Sequence, residues 1–202
     1  MVDRIDHDAV YNGLYAHLRI ESQEDRDELH EFSRRFTFKM YSVGDELWSL
    51  NSTEGELHVV LSGAFGEYLR VKNEDHLLRF YRQGKCAFSE DLLIYSKPSE
   101  TYNKCLADGV VASIPRSQIK MISESRDFGT RLIAGLINLS MTEYRHTTYE
   151  MLQSSGQNRI KAALEQFPDL LHIIPRREMA EYLGISRASL FRSLKLIDDE
   201  NG

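Results

Sequence analysis

The stretch that decides the fold lies near the C-terminus, where residues 174–195 read IPRREMAEYLGISRASLFRSLK. Pro175 can open a helix, because proline is tolerated in a first helical turn. Gly184 suits a tight turn after that helix, and Ser186 can cap a second helix over residues 187–197. Two short helices joined by a tight glycine turn predict a helix-turn-helix, which binds duplex DNA with its second helix.

The apolar and basic residues of this stretch separate onto different faces. The face expected to be buried carries Met179, Ala180 and Leu183 from the first helix and Leu190, Leu194 and Ile197 from the second. Arginines on the opposite face can form paired hydrogen bonds with guanine O6 and N7 in the major groove. The candidate DNA-binding residues are Arg176, Arg177, Ser186, Arg187, Ala188, Phe191, Arg192 and Lys195.

Upstream of this stretch the pattern changes to short strands. Residues 56–70 are rich in β-branched and aromatic side chains around a turn glycine, as strand pairs are. Further strands are expected at 76–81 and 110–114, with a hairpin turn at 73–75, and a helix at 22–37 precedes them. Many short strands at this spacing predict an antiparallel β-roll.

A long helix is predicted over residues 127–152, with an apolar stripe that includes Phe128, Leu132 and Leu136. Such a stripe often continues into the identical stripe of a partner, so we expect a homodimer through this helix. The alternative is a helix that packs wholly on its own β-roll. Residues 154–157 read as a hinge before a short helix at 158–165.

Composition and charge limit the classes of protein. The 202 residues carry a net charge of −6, yet residues 159–197 hold seven Lys or Arg against four Asp or Glu. An acidic body with a basic C-terminal module fits a sensor joined to a DNA-binding module. Two cysteines, Cys86 and Cys105, are too few for a disulfide scaffold or a four-cysteine cluster, and we expect reduced thiols. Without a secretory signal or a long apolar run, a cytoplasmic location off the membrane is expected.

Residues 174–195 resemble the DNA-binding end of the CRP/FNR regulators, and the likeness extends over about residues 20–201. Ser186-Arg187 match the start of the family's recognition helix, and Arg192 and Lys195 match its later basic positions. The resemblance implies an α+β fold with a β-roll like those that bind cyclic nucleotides (a double-stranded β-helix) at 1–126. It further implies a dimerisation helix at 127–155 and a helix-turn-helix of the winged type at 156–202. The sequence ends at Gly202, so we expect the family's wing to be missing or truncated.

The residues at the family's effector pocket depart from its pattern. The candidate pocket residues are Phe88, Glu90, Glu100, Thr101, Tyr144 and Arg145. The resemblance places a phosphate-binding arginine near Glu100-Thr101, but a glutamate there reverses the charge an anion needs. The small hydroxyl residues that meet the base are expected to be replaced by Tyr144 and Arg145. We therefore expect an unknown small-molecule effector, or none, rather than a cyclic nucleotide.

The DNA-binding positions also depart from the family's best-known member. Ala188 stands where that member has a glutamate that accepts from cytosine, and Phe191 replaces a glycine. Phe191 can meet a thymine methyl, or it can pack against the first helix of the motif. We expect a different half-site from that of the best-known member.

Two other functions stay open. A sensory or interaction protein with a weakened DNA-binding module fits the acidic residues Asp198, Asp199 and Glu200. A β-roll enzyme of the cupin type would need a histidine-rich metal set, and the seven histidines show no suitable pair. We therefore predict no catalytic residue, no metal site and no cofactor, with duplex DNA and RNA polymerase as partners.

Overall fold

The computed structural model describes residues 7–201 except 19, 21, 126, 154 and 167. The chain forms helices α1 (His7–Tyr15) and α2 (Gln23–Ser33), then seven strands, then helices α3 to α8. The strands are β1 (Thr37–Tyr41), β2 (Glu56–Val60), β3 (Ala64–Val71), β4 (Glu74–Tyr81), β5 (Cys86–Ala87), β6 (Thr101–Ala107) and β7 (Gly109–Pro115). A short π-helical turn, Asp91–Tyr95, lies between β5 and β6. The later helices are α3 (Arg116–Ser125), α4 (Asp127–Gln153), α5 (Gly156–Gln166), α6 (Leu170–Ile173), α7 (Arg176–Tyr182) and α8 (Arg187–Asn201).

Two antiparallel sheets form the roll. One has the strand order β1-β7-β2-β5, and the other has the order β4-β3-β6. The strand signal over residues 56–70 is confirmed, but β2 and β3 lie in different sheets rather than pairing with each other. In the second sheet Glu67 pairs with Arg79 and Tyr68 with Leu77, so Leu78 is an extra residue that forms a β-bulge.

Several predicted boundaries needed correction. Ser22 caps α2 through its side chain, as expected, but the helix ends at Ser33 and Thr37 already belongs to β1. The hinge predicted at 154–157 is wrong for Gly156 and Gln157, which lie in α5; Ser154 is outside the described residues. Helix α3 and strand β6 have no counterpart in the predicted elements.

Helix α4 has two apolar faces. Phe128, Leu132 and Leu136 are buried and belong to the core that α4 shares with α1, α2 and the first sheet. Their stripe, for which the sequence suggested a partner, therefore packs within the chain itself. A second set is exposed along the C-terminal half of the helix: Met141, Tyr144, Tyr149 and Leu152. Among the described residues, no helix is both long and apolar enough to cross a membrane.

The outer face of the β4-β3-β6 sheet covers the C-terminal helices. Tyr68, Leu77, Phe80 and Tyr102 on that face share one buried apolar cluster with residues of α5 to α8, among them Met179. The opposite, inner face of the same sheet points into the roll. The sheet thus separates two candidate sites, one in the roll and one on the helix-turn-helix.

Candidate DNA-binding face and candidate effector pocket

The helix-turn-helix is built as the sequence indicates. Gly184 has a φ of +63°, a left-handed conformation that L side chains rarely adopt, and its N–H donates to Glu181 O at 3.0 Å. Ile185 N donates to Ala180 O at 2.9 Å, which closes the turn. Ser186 Oγ accepts from Ser189 N at 3.1 Å, so Ser186 caps α8 as predicted.

A second residue fixes this turn from outside the motif. Arg159 of α5 donates from Nε to Leu183 O at 2.7 Å and from Nη2 to Gly184 O at 3.3 Å. These carbonyls follow the end of α7, where a cation is favourable. Arg159 was counted in the basic module, but its contact joins positions 24 and 25 residues apart, which the local sequence pattern does not reveal.

The candidate DNA-binding residues form an exposed, basic and partly apolar groove. The groove has a volume of about 650 Å³. Its lining residues are Arg176, Arg177, Arg187, Ala188, Leu190, Phe191 and Arg192. Phe191 is 60% exposed, so it does not serve as core packing against α7. Lys195 is also exposed but does not line this groove, and Ser186 acts through its capping hydrogen bond.

Two of the arginines also contact protein groups. Arg192 makes long hydrogen bonds within α8, to Ala188 O at 3.4 Å and Ser189 Oγ at 3.5 Å. Arg177 Nε donates to Glu181 Oε1 at 3.0 Å, and Arg177 Nη2 lies 3.5 Å from Glu74 Oε2 on β4. Arg177 is therefore shared between the groove and the roll.

Inside the roll, a buried arginine holds two carboxylates. Arg79 Nε donates to Glu67 Oε2 at 2.6 Å, and both Nη atoms donate to the Glu90 carboxylate at 2.8 Å. Glu67 also accepts from Tyr81 Oη and Thr101 Oγ1, each at 2.8 Å. We call these residues, together with Ser140 and Tyr144 of α4, the Arg79 cluster.

Helix α4 closes the Arg79 cluster. Ser140 Oγ donates to Glu90 Oε1, and the Arg79 guanidinium lies 4.7 Å from the ring centroid of Tyr144. Burial raises the pKa of Glu90, but hydrogen bonds from Arg79 and Ser140 outweigh it and leave that pKa lowered. Burial raises the pKa of Tyr144 to about 12, so its ring faces Arg79 as a neutral phenol.

The structure brings together three of the six predicted pocket residues. Glu90, Thr101 and Tyr144 belong to the Arg79 cluster, whereas Phe88 is buried in the apolar core. Glu100 and Arg145 are exposed, and the Glu100 backbone N–H donates to Asp91 Oδ2 at 3.1 Å. Ser140, a small hydroxyl residue of α4 that the sequence analysis did not single out, also reaches this cluster through its hydrogen bond to Glu90.

Sequence reasoning missed Glu67 and Arg79, although a signal was present. Both alternate with inward-facing apolar residues, Phe65 before Glu67 and Tyr81 after Arg79. Opposite charges at core positions of two strands joined by a hairpin favour a buried ion pair. The register within the hairpin was needed to see that these charges meet.

The cysteines and the buried histidine have structural surroundings. Burial raises the pKa of the Cys86 thiol to about 12 and that of Cys105 to about 11, which opposes thiolate chemistry. His58 is fully buried beside Ser113 Oγ at 2.8 Å, and burial lowers its pKa to about 3. Within the described ranges, no group of three or more His, Cys, Asp or Glu residues could hold a metal ion.

A β-roll joined by a long helix to a helix-turn-helix is the architecture of the CRP/FNR regulators, and the chain has that fold. Solved structures of such proteins match most of the chain. FixK2 from Bradyrhizobium japonicum is 17% identical, with a TM-score of 0.66 over 82% of this chain and 86% of that chain. The c-di-GMP-responsive global regulator CLP of Xanthomonas campestris is 18% identical, with a TM-score of 0.61 over 87% and 92%.

A third match is the catabolite activator protein of Thermus thermophilus. It is 17% identical, with a TM-score of 0.53 over 94% of this chain and 88% of that chain. No protein-family model and no curated protein sequence matches the chain. At these identities the structural likeness establishes the fold.

Proposed function

We propose that the protein is a DNA-binding transcriptional regulator that acts as a homodimer. The observation that carries the proposal is the exposed groove in which α8 presents Arg187, Phe191 and Arg192 beside Arg176 of α7. A groove with several guanidinium groups on the second helix of a helix-turn-helix suits the major groove of DNA. Phosphate contacts then supply affinity, and base contacts from α8 supply sequence preference.

The side chains of α8 favour particular bases. Arg187 and Arg192 can each bind guanine O6 and N7 through paired hydrogen bonds. Ala188 has no acceptor for a cytosine amine, and the exposed Phe191 ring offers an apolar contact to a thymine methyl. The expected half-site combines guanine with thymine and differs from that of the family's best-known member.

Self-association through α4 would place two recognition helices on one DNA duplex. Met141, Tyr149 and Leu152 are 67%, 57% and 81% exposed in the protomer, so covering them would remove apolar surface from water. Two half-sites one helical turn apart, about 34 Å, would then form a palindrome. This use of α4 extends the homodimer predicted through residues 127–152.

The Arg79 cluster argues against a cyclic nucleotide as effector. Arg79 already gives N–H bonds to Glu67 and Glu90, so a phosphate would have to displace a carboxylate from it. We propose another small molecule, or constitutive activity, with a cytoplasmic location and RNA polymerase as a further partner. The protein would be titrated with cAMP and with cGMP, and its melting temperature and DNA affinity would be measured. Neither quantity is expected to change.

A second function keeps the fold but weakens its DNA binding. The net charge of −6 and the acidic residues 198–200 oppose binding to a polyanion. Under this alternative the protein senses or binds a partner and its groove makes no sequence-specific contact.

One experiment separates the two functions. The wild-type protein would select duplexes from a random-sequence library, and binding to the selected duplex would be measured by fluorescence anisotropy across a salt series. Arg187→Ala and Arg192→Ala are each expected to cost about 1–3 kcal/mol in binding free energy. Arg34→Ala, an exposed arginine at the end of α2, is the matched control and leaves binding unchanged. Equal binding by all four proteins would favour the alternative.

A further inference from the structure

The helix-turn-helix is docked on its own roll by a mixed interface. On the apolar side, Tyr68 and Leu77 of the sheet share a cluster with Met179 of α7. On the polar side, Tyr68 Oη donates to Glu178 Oε2 at 2.7 Å, and Arg82 Nη1 donates to Asp169 Oδ1 at 2.5 Å. We call this the docking interface.

The docking interface reaches the edge of the candidate DNA groove at Arg177. This residue lines the groove, yet its Nη2 lies 3.5 Å from the carboxylate of Glu74 at the start of β4. The Glu74 side chain is 64% exposed and that of Arg177 is 47% exposed, so both remain open to an incoming polyanion. Within α7, Arg177 Nε also donates to Glu181 Oε1 at 3.0 Å, so Glu74 is a second carboxylate on this cation. A carboxylate added beside the groove repels phosphate and occupies an N–H donor that phosphate would use.

We propose that Glu74 competes with a DNA phosphate for Arg177, so that docking of the helix-turn-helix on the roll and binding of DNA oppose each other. The inference rests on the proposed DNA-binding function and adds an intramolecular competitor to it. By thermodynamic linkage, the factor by which the Glu74–Arg177 contact weakens DNA binding is also the factor by which bound DNA weakens that contact.

The other charges around the hairpin do not mimic Glu74. Asp75 accepts two hydrogen bonds from Arg70 of β3, at 2.7 and 3.3 Å, so its charge is neutralised by a cation other than Arg177. Lys72 is exposed in the turn and carries the opposite charge. Glu74 is thus the hairpin carboxylate whose removal changes the groove most directly.

The test measures DNA affinity of charge variants on the selected duplex. Glu74→Gln is expected to raise affinity about two- to fivefold, the range of an exposed ion pair. The salt dependence of binding should steepen by about one unit of slope, because Arg177 gains a phosphate. Lys72→Gln, in the same turn, is the matched control and gives no increase.

A double variant ties the effect to Arg177. In an Arg177→Gln background, adding Glu74→Gln is expected to change neither affinity nor salt slope, because the shared cation is gone. An unchanged affinity in Glu74→Gln, or the same gain without Arg177, overturns the inference. The proposed function has its own readout in this assay: if Arg187→Ala and Arg192→Ala leave binding intact, the DNA-binding proposal fails instead.

Discussion

The arginines of the two candidate sites have different roles, and the difference follows from how deeply each side chain is buried. In the roll, Arg79 is 9% exposed and its guanidinium is bound by Glu67 and Glu90. On the helix-turn-helix, Arg187 and Arg192 are exposed beside Phe191. A buried guanidinium must be neutralised by the protein itself, whereas an exposed one is solvated and can exchange water for a ligand.

A charged pocket is therefore not by itself a binding site. The Arg79 cluster satisfies its own hydrogen bonds across β3, β4 and α4, so it joins the roll to the long helix. The groove on α8 has the opposite character, since its cations lie at a concave surface with an apolar side chain between them. Four experiments test this difference between the two sites.

The largest effect is expected from Arg79→Leu. It leaves Glu67 and Glu90 buried without their cation, which costs about 3–5 kcal/mol in the free energy of unfolding. Urea unfolding at fixed protein concentration measures it. Arg70→Leu, in the neighbouring strand and with a partner, Asp75, that is only half-buried, is the control and changes stability little. Similar losses in both variants would mean that burial does not distinguish the two arginines.

Acid should weaken the roll through Glu90. The pKa of Glu90 lies below its ordinary value of 4.5, so its stabilising contribution is complete above that pH. The contribution is lost as the pH falls through the lowered pKa. Comparison with Glu90→Gln isolates it, because the nearby Glu143, Lys85 and Arg79 are common to both proteins. The stability difference between the two should shrink from pH 7 towards pH 3; a constant difference would contradict the assignment.

A smaller loss of stability is expected from Ser186→Ala, which removes the N-cap of α8. Loss of the hydrogen bond to Ser189 N should cost about 1 kcal/mol of stability and loosen the start of the recognition helix. Urea unfolding gives the first quantity and DNA anisotropy the second. Ser193→Ala, further along the same helix, is the control. If the two variants behave alike, the cap does not position the groove.

The smallest effect concerns one methyl group. If Phe191 contacts a thymine, replacing that thymine by deoxyuridine in the selected duplex should cost about 0.8 kcal/mol, the value of one buried apolar carbon. Scanning each thymine of the half-site locates it. In Phe191→Ala the same replacement should have no effect, and a penalty that survives in this variant would assign the methyl to another residue.

The sequence predicted the two sites unequally. Residues 174–195 specify their motif locally: a proline start, a left-handed glycine and a serine cap fix the two helices within one short segment. The Arg79 cluster depends on register between β3 and β4 and on α4, which begins 48 residues after Arg79. Non-local pairing of that kind gives only a weak signal in the sequence, which is one inward-facing charged residue in each strand.

The same distinction explains the errors at the edges of elements. Gly156 and Gln157 looked like a hinge by composition, but Gly156 lies against Ile185 of the turn, and a Cβ there would approach Ile185 Cγ2 to 2.8 Å. The glycine therefore permits a close approach between α5 and the turn rather than a break in the chain. Composition alone does not separate these two uses of glycine.

The extra residue in the β3–β4 hairpin sets which side chains of these strands face the interior of the roll and which face the helix-turn-helix. Because Leu78 bulges out of the pairing, Arg79 meets Glu67 on one side of the sheet while Leu77 meets Tyr68 on the other. Shortening β4 by that one residue would reverse which way the strand's side chains point beyond it. Either the Arg79–Glu67 ion pair or the apolar contact with the helix-turn-helix would then be lost. A single β-bulge therefore lets one short hairpin contribute to both.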